Sequence, residues 1–187
     1  AIKIGLNKVT ARTKFMRTTN IEAVYVLGDF GVKLDGKKKT ITTLPKEIAF
    51  ENLVNYNLPF YTGCVTYKLN AQKVKSLIGD VSNKRVVLSP KSFTGALVKV
   101  EYDGAEPILL GWDPYEADVT EAVREGKDIN VTLVCTRRNT FGPLHIVPLH
   151  HGAYGPGHFT TGGDSWTDNY NLIDSCIKDG VVFKIKG

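Results

Sequence analysis

The sequence predicts an all-β protein, an antiparallel β-sandwich or jelly roll folded as a single domain over residues 1–187. Runs that alternate apolar and polar residues, which is the period of a half-buried strand, recur about every ten residues. Eighteen glycines and eight prolines are spread among these runs and supply the turns between them. No amphipathic helix of about 10–15 residues separates the runs, and this argues against a parallel βαβ fold. A chain of this length can bury a sizeable core without metals or disulfides.

The predicted strands extend along most of the chain. They cover residues 21–30, 40–44, 48–50, 64–69, 85–88, 96–102, 108–110, 129–135 and 181–185. Residues 71–78 have the spacing of a short helix, so helix should be limited to one or two short segments. Residues 1–20 are basic and weakly patterned, which predicts a lead-in segment ahead of the sandwich. The run Lys37-Lys38-Lys39 follows Asp35-Gly36 and predicts a solvated hairpin tip.

The stretch 111–145 holds the clearest local signals. Pro114 cannot continue a strand, because it lacks the N–H that a ladder requires. Thr120 is expected to cap a helix over residues 121–125. Gly126 then supplies the left-handed residue that ends the helix before the next strand.

The strand before this stretch, and the stretch itself, carry a series of motifs: a V-x-V-x-x-G turn, a Trp/Pro loop, an Asp-Val-Thr helix turn and a closing strand. The residues are Val98, Val100, Gly104, Trp112, Pro114, Asp118, Val119, Thr120, Gly126, Ile129, Asn130 and Val131. In this order they resemble the sugar-binding jelly roll of family 2 glycoside hydrolases, a galactose-binding-domain-like β-sandwich. The similarity covers about residues 59–136. The family's Gly-x-Asn turn reads Gly126-Lys127-Asp128 here.

The resemblance implies a non-catalytic carbohydrate-binding or accessory module of a bacterial glycoside hydrolase. Its partners would be a carbohydrate and the catalytic domain of the parent chain. The segment Phe141-Gly142-Pro143-Leu144-His145 and the glycine-rich residues after it also resemble the C-terminal module of large bacterial glycosidases. Related jelly rolls often hold a structural Ca²⁺, for which Asp164 and Asp168 could supply carboxylates. Two alternatives stay open: a small independent sugar-active hydrolase, and a structural interaction domain without a ligand.

Aromatic and polar residues in the predicted loops form the candidate carbohydrate site. Binding sites combine aromatic surfaces with a few placed polar groups, and a sugar can stack its C–H face on an indole or phenol ring. The candidates are Trp112, Tyr115, Arg137, Asn139, His145, Tyr154, Asp164 and Trp166. Each tryptophan taken alone also fits a loop anchor packed on the edge of the sandwich. Arg137 and Asn139 also fit a role in satisfying buried loop carbonyls.

Catalysis by this chain alone is not expected from its residues. Acid–base cleavage of a glycoside needs two carboxylates about 5–10 Å apart. Glu116 and Asp118 lie near Trp112 in sequence, but Asp118 occupies the helix-turn position, where it should accept backbone N–H bonds. The four histidines fall within residues 145–158, and their spacing matches no closed tetrahedral zinc motif.

The charge and the cysteines bear on partners and compartment. Residues 1–50 hold ten Lys/Arg against four Asp/Glu, whereas the rest of the chain is close to neutral. Because Lys37-Lys38-Lys39 has no aromatic neighbour in sequence, no nucleic-acid partner is expected. No apolar run approaches the length of a membrane span, so no membrane partner is expected either. Cys64, Cys135 and Cys176 are odd in number and far apart, which favours a reducing compartment such as the cytoplasm over a disulfide framework.

Overall fold

The computed structural model describes residues 3–19, 25–147 and 166–187. The strands are β1 (Gly31–Asp35), β2 (Lys38–Thr42), β3 (Cys64–Leu69), β4 (Arg85–Thr94), β5 (Leu97–Tyr102), β6 (Ile108–Leu110), β7 (Ala117–Asp118), β8 (Ile129–Val134) and β9 (Cys176–Lys186). The helices are α1 (Ala71–Ile78), α2 (Thr120–Glu125) and α3 (Arg138–Phe141), with a 3₁₀ turn at Leu53–Tyr56. This is more than the one or two helical segments predicted. None of these described helices is long and apolar enough to cross a membrane.

The described strands form a hairpin and two larger sheets, and every pair of neighbouring strands is antiparallel. The hairpin joins β1 to β2. One larger sheet has the order β3-β8-β5-β6, and the other has the order β7-β4-β9. Buried residues of both larger sheets belong to one hydrophobic core. The predicted all-β, antiparallel architecture is therefore confirmed.

The core follows the alternation that the sequence predicts along β5 and β8. Val131 of β8 lies opposite Tyr67 of β3 on one side and opposite Val100 of β5 on the other. Leu133 lies opposite Val98 in the same register, and all five side chains are buried. The other sheet contributes Val86, Leu88 and Ile177 to the same core. Burial of one such aliphatic side chain is worth about 1.5–3 kcal/mol, so this shared core is what holds the two sheets together.

Helix α2 begins and ends close to the predicted residues, but its N-terminal cap is different. Thr120 is the first residue of the helix, not its cap. The carboxylate of Asp118 accepts the Thr120 N–H at 3.0 Å and the Thr120 hydroxyl at 2.6 Å. A carboxylate at this end is favoured by the positive pole of the helix. Gly126 ends the helix with φ of 69°, as predicted.

Two predicted strands are not formed among the residues that the structure describes. Residues 25–30 make no strand, and residues 21–24 lie outside the described residues. Tyr25, Val26 and Leu27 are exposed, so alternation alone did not give this segment a neighbouring strand. Residues 48–50 also form no strand. Phe50 instead stacks on Tyr67 with ring centroids 4.1 Å apart, and so covers the core as a loop residue.

The predicted strand over residues 85–88 is too short. Strand β4 continues through Pro90 to Thr94, and it pairs with β9 along this whole length. A register shift between Pro90 and Ser92 accommodates the proline, because a bulge removes the need for its missing N–H. Cys135 is buried and acts as a small hydrophobic residue, whereas Cys64 is exposed.

The lead-in segment makes few contacts with the sandwich. Within residues 3–19 the hydrogen bonds join residues of the segment to one another. Its large apolar side chains are all exposed; they are Ile4, Leu6, Val9, Phe15 and Met16. The segment therefore adds nothing to the core and presents an apolar and basic surface.

Candidate functional site

Most of the predicted site residues that the structure describes belong to connections at one end of the sandwich. Strands β3 and β5 begin at this end, and β6 and β8 finish there, because Cys64 pairs with Val134, Leu97 pairs with Val134, and Val98 pairs with Leu110. We call it the loop end. Connections at the ends of a sandwich are where binding residues are usually presented on a rigid scaffold.

An aromatic cluster lies beside this end. The rings of His145 and Trp166 are stacked with centroids 4.4 Å apart and an interplanar angle of 27°. Tyr170 tilts against His145 at 4.5 Å, and Phe60 meets Tyr170 edge to face at 5.4 Å. We call these four residues the aromatic cluster. Each is only partly buried, so the cluster offers ring surface at the protein's exterior.

Backbone and side-chain hydrogen bonds hold the cluster in place. The His145 carbonyl accepts the Thr167 N–H at 2.8 Å, and the His145 Nδ1 lies 3.0 Å from the Thr167 carbonyl oxygen. Ile146 and Trp166 form an isolated β-bridge. Asn171 donates its backbone N–H to Leu144 at 2.6 Å and its side-chain amide to Ile146 at 2.9 Å. Hydrogen bonds between residues 144–146 and residues 166–171 therefore fix the stacked rings of His145 and Trp166 in place. The two rings form a pre-formed surface.

The β1–β2 hairpin reaches this cluster, which the sequence analysis did not foresee. The Lys39 Nζ lies 5.3 Å from the Tyr170 ring centroid, over its face. The Lys37 Nζ lies 2.9 Å from the Asp168 carboxylate. The ammonium of Lys37 lowers the pKa of Asp168, and a hydrogen bond from Trp166 has the same effect. The hairpin tip is solvated, as predicted, but its lysines do have an aromatic neighbour in space.

The two remaining described aromatic candidates behave differently from each other. Trp112 is 77% exposed, and no ring among the described residues packs against it. Tyr115 meets Phe93 edge to face at 5.1 Å and packs against the core, so it serves as a loop anchor. Trp112 follows β6, whereas Phe60 precedes β3 at the other edge of the sheet. Three strand spacings, about 14 Å, therefore separate the two edges, and Trp112 is not part of the aromatic cluster.

The polar candidates after β8 have structural partners. Asn139 is buried, and both ends of its amide bond Ile173: the nitrogen donates to the carbonyl at 2.8 Å, and the oxygen accepts the N–H at 2.9 Å. Arg137 is exposed and lies just before α3, where its carbonyl accepts the N–H of Thr140 and of Phe141. Asn139 thus fits the alternative in which it satisfies the loop backbone.

Some predictions fall outside the described residues. These are the site residues Tyr154 and Asp164 and the histidines His150, His151 and His158. The calcium hypothesis names Asp164 together with Asp168, and Asp168 already contacts Lys37. Within the described ranges no group of three or more histidine, cysteine, aspartate and glutamate side chains is arranged to hold a metal ion. Calcium therefore stays a prediction.

Glu116 and Asp118 both bind basic side chains. Glu116 accepts hydrogen bonds from Lys184 at 2.8 Å and from Lys186 at 2.7 Å, and these bonds lower its pKa from 4.5 to about 2. Partial burial acts to raise the pKa of Asp118, but its hydrogen bonds with Thr120 and Arg85 outweigh that effect and lower it. Neither group is poised to donate a proton near neutral pH.

The described site is thus a partly exposed aromatic surface with a basic hairpin beside it, held on antiparallel sheets that share one core. No family model, curated protein or solved structure matches this chain.

Proposed function

We propose that this chain is a carbohydrate-binding accessory module with a galactose-binding-domain-like jelly roll, and that its parent protein is a bacterial glycoside hydrolase. The observation that supports the proposal is the stacked pair of His145 and Trp166 with Tyr170 against it. Rings held in this way form a rigid surface on which a sugar can lay its apolar C–H face. The motifs in residues 98–131 support the jelly roll within the observed antiparallel architecture.

Polar groups for sugar hydroxyls lie around the same rings. The Asp168 carboxylate and the Lys37 ammonium are both exposed, and Asp168 is hydrogen-bonded to Trp166. Such a surface is shallow, so a bound sugar stays partly in water. We expect weak binding, with Kd from about millimolar to tens of micromolar, which is roughly 4–6 kcal/mol.

The hydrolase alternative is disfavoured by the environments of Glu116 and Asp118, the two carboxylates considered for catalysis. A glycosidase needs one carboxylic acid that can still donate its proton at the working pH. Hydrogen bonds from Lys184 and Lys186 lower the pKa of Glu116 to about 2, so this carboxyl group has already lost its proton at the working pH of a hydrolase. Asp118 holds the start of α2 instead.

One observation favours a second candidate, a structural interaction domain without a ligand. Residues 3–19 expose apolar side chains such as Leu6 and Phe15, and they carry five basic residues and no acidic one. In this alternative the module braces a neighbouring domain through this segment, and the aromatic cluster only anchors its loops.

Titration with neutral and acidic mono- and oligosaccharides, followed by ¹H–¹⁵N NMR, separates the two candidates. The carbohydrate module predicts saturable shifts of the residues around Trp166 and Tyr170. Shifts confined to the residues before 50 that do not belong to the β1–β2 hairpin would show that the glycan does not bind at the aromatic cluster. If no glycan in the panel moves any resonance, the bracing role is favoured instead. Trp166→Ala, checked for folding by urea denaturation, should abolish the shifts.

A further inference from the structure

We infer that the glycan recognised at the aromatic cluster is acidic, carrying a uronate carboxylate or a sulfate group. This inference rests on the proposed carbohydrate-binding function and specifies its ligand class. It is carried by the position of the β1–β2 hairpin, whose Lys39 lies over the Tyr170 ring and whose Lys37 contacts Asp168.

Lys39 supplies a positive charge at the rings that no described carboxylate matches. Its Nζ lies over the Tyr170 ring, and no carboxylate among the described residues forms an ion pair with it. The Lys39 side chain is exposed, so a ligand can reach the ammonium group. A ring stacked on Tyr170 or Trp166 would bring its acidic substituent within reach of Lys39. A charge-assisted hydrogen bond then forms beside the stacking contact.

The charge of the neighbouring residues supports an anionic ligand. The hairpin holds Lys33, Lys37, Lys38 and Lys39 and one carboxylate, Asp35. Asp168 adds a second carboxylate to the site, but Lys37 neutralises it across 2.9 Å. The local balance therefore stays positive, and Lys39 is the lysine directed at the rings.

The size of the basic patch favours a short acidic sugar over a nucleic acid. Lys37 to Lys39 spans about 7 Å along the chain, which is the length of one or two sugar rings. Single-stranded nucleic acid is bound by a longer groove in which basic residues follow several phosphates and aromatic rings stack on successive bases. Among the described residues the lysine-over-ring contact near the loop end involves only Lys39 and Tyr170.

Lys38 offers a matched control on the same hairpin. Successive side chains of a strand point to opposite faces, so Lys38 and Lys39 of β2 face opposite ways. Lys38→Gln and Lys39→Gln change the net charge by the same amount and differ only in the face from which a lysine is removed. A non-specific charge effect must weaken binding equally in both variants.

The experiment is isothermal titration of the full chain and of both variants at two salt concentrations. The ligands are oligogalacturonate, a sulfated oligosaccharide and a neutral oligosaccharide of equal length. Polyphosphate serves as an anion that has no sugar, and short single-stranded DNA serves as a polyanion whose bases can stack on aromatic rings. We expect at least one acidic glycan to bind more tightly than the neutral one, Lys39→Gln to weaken its binding about fivefold, and Lys38→Gln to change it less than twofold.

The outcomes separate this inference from the proposed function. If the neutral glycan binds as tightly as the acidic ones, the module binds carbohydrate but the acidic class is wrong. If no glycan binds, the proposed function itself fails. Equal losses in Lys38→Gln and Lys39→Gln, or equally tight binding of polyphosphate, would reduce the contact to general electrostatic attraction. Tighter binding of DNA than of any glycan would assign the surface to nucleic acid and overturn the inference.

Discussion

Asn139 and Ile173 exchange two hydrogen bonds, which join the segment after β8 to the segment that leads into β9. The amide nitrogen of Asn139 donates to the Ile173 carbonyl at 2.8 Å, and its oxygen accepts the Ile173 N–H at 2.9 Å. The side-chain amide of Asn139 pairs with both the N–H and the carbonyl of Ile173, as the backbone of a neighbouring strand would. Both segments border the aromatic cluster, so this pair helps to hold the loop end together.

Asn139→Ala should lower the free energy of unfolding by about 2–3 kcal/mol, because the N–H and the carbonyl of Ile173 both lose their partner. Urea denaturation of the purified chain measures this change. Arg137→Ala is the matched control, since Arg137 is exposed two residues earlier and should change stability little. Loss of glycan binding with stability unchanged would instead make Asn139 a ligand-contacting residue, as the sequence analysis allowed.

Asp118→Ala should cost about 1–2 kcal/mol of stability, because the first N–H of α2 and the Thr120 hydroxyl lose their acceptor. Asp103→Ala, in the exposed turn after β5, is a suitable control for removing a surface carboxylate. Thermal unfolding of both variants gives the comparison. Unchanged stability together with lost sugar binding would contradict the structural role.

The stability of the chain should fall in acid partly through Glu116. Because Lys184 and Lys186 lower its pKa in the folded state to about 2, the folded protein keeps this carboxylate ionised where the unfolded chain already protonates it. The contribution is therefore full above pH 4.5 and is lost as the pH falls toward 2. Glu116→Gln should flatten this part of the curve of melting temperature against pH. An identical slope in the variant between pH 5 and 2 would show that the two lysine contacts are not maintained in solution.

The isolated chain should show no glycosidase turnover, since Glu116 and Asp118 are both engaged by basic or backbone partners. A panel of aryl glycosides, read by release of the aryl alcohol, checks this expectation. The Glu116→Gln variant guards against a contaminating hydrolase, because a contaminant would be unaffected by it. Sustained release that disappears in this variant would establish the hydrolase alternative.

The features predicted correctly are those set by residues close in sequence. Gly126 ends α2 because only a left-handed residue fits there, and the alternation around Val131 sets which face of β8 is buried. The predicted strand over residues 85–88 ends before Pro90, because a proline usually ends a strand unless a bulge accommodates it. Whether a bulge forms depends on the partner strand, here β9. Pairing information of this kind is absent from a local pattern.

The candidate site was predicted only in part, for the same reason. His145 and Trp166 were chosen as loop aromatics, and the structure stacks them. Lys39 was passed over because its neighbours in sequence are not aromatic, although Tyr170 lies under it in space. The two residues are separated by most of the chain, so their contact depends on the packing of a hairpin against a distant loop. Sequence alternation carries no signal for such a contact.

The two tryptophans should report on which side of the loop end the glycan binds. Trp112→Phe leaves Trp166 as the only tryptophan, and Trp166→Phe leaves only Trp112. Acrylamide should quench Trp112 strongly because it is 77% exposed, and should quench Trp166 less because one face lies against His145.

Added glycan should then protect Trp166 further in the Trp112→Phe chain, since a stacked sugar excludes the quencher from the remaining ring surface. The quenching of Trp112 in the Trp166→Phe chain should change little, because the two edges of the sheet lie about 14 Å apart and a short oligosaccharide at the cluster does not cover both. Protection of Trp112 alone would move the binding surface to the edge beside β6. The aromatic cluster would then serve to anchor the loops, and Lys39 would have no part in recognising the ligand.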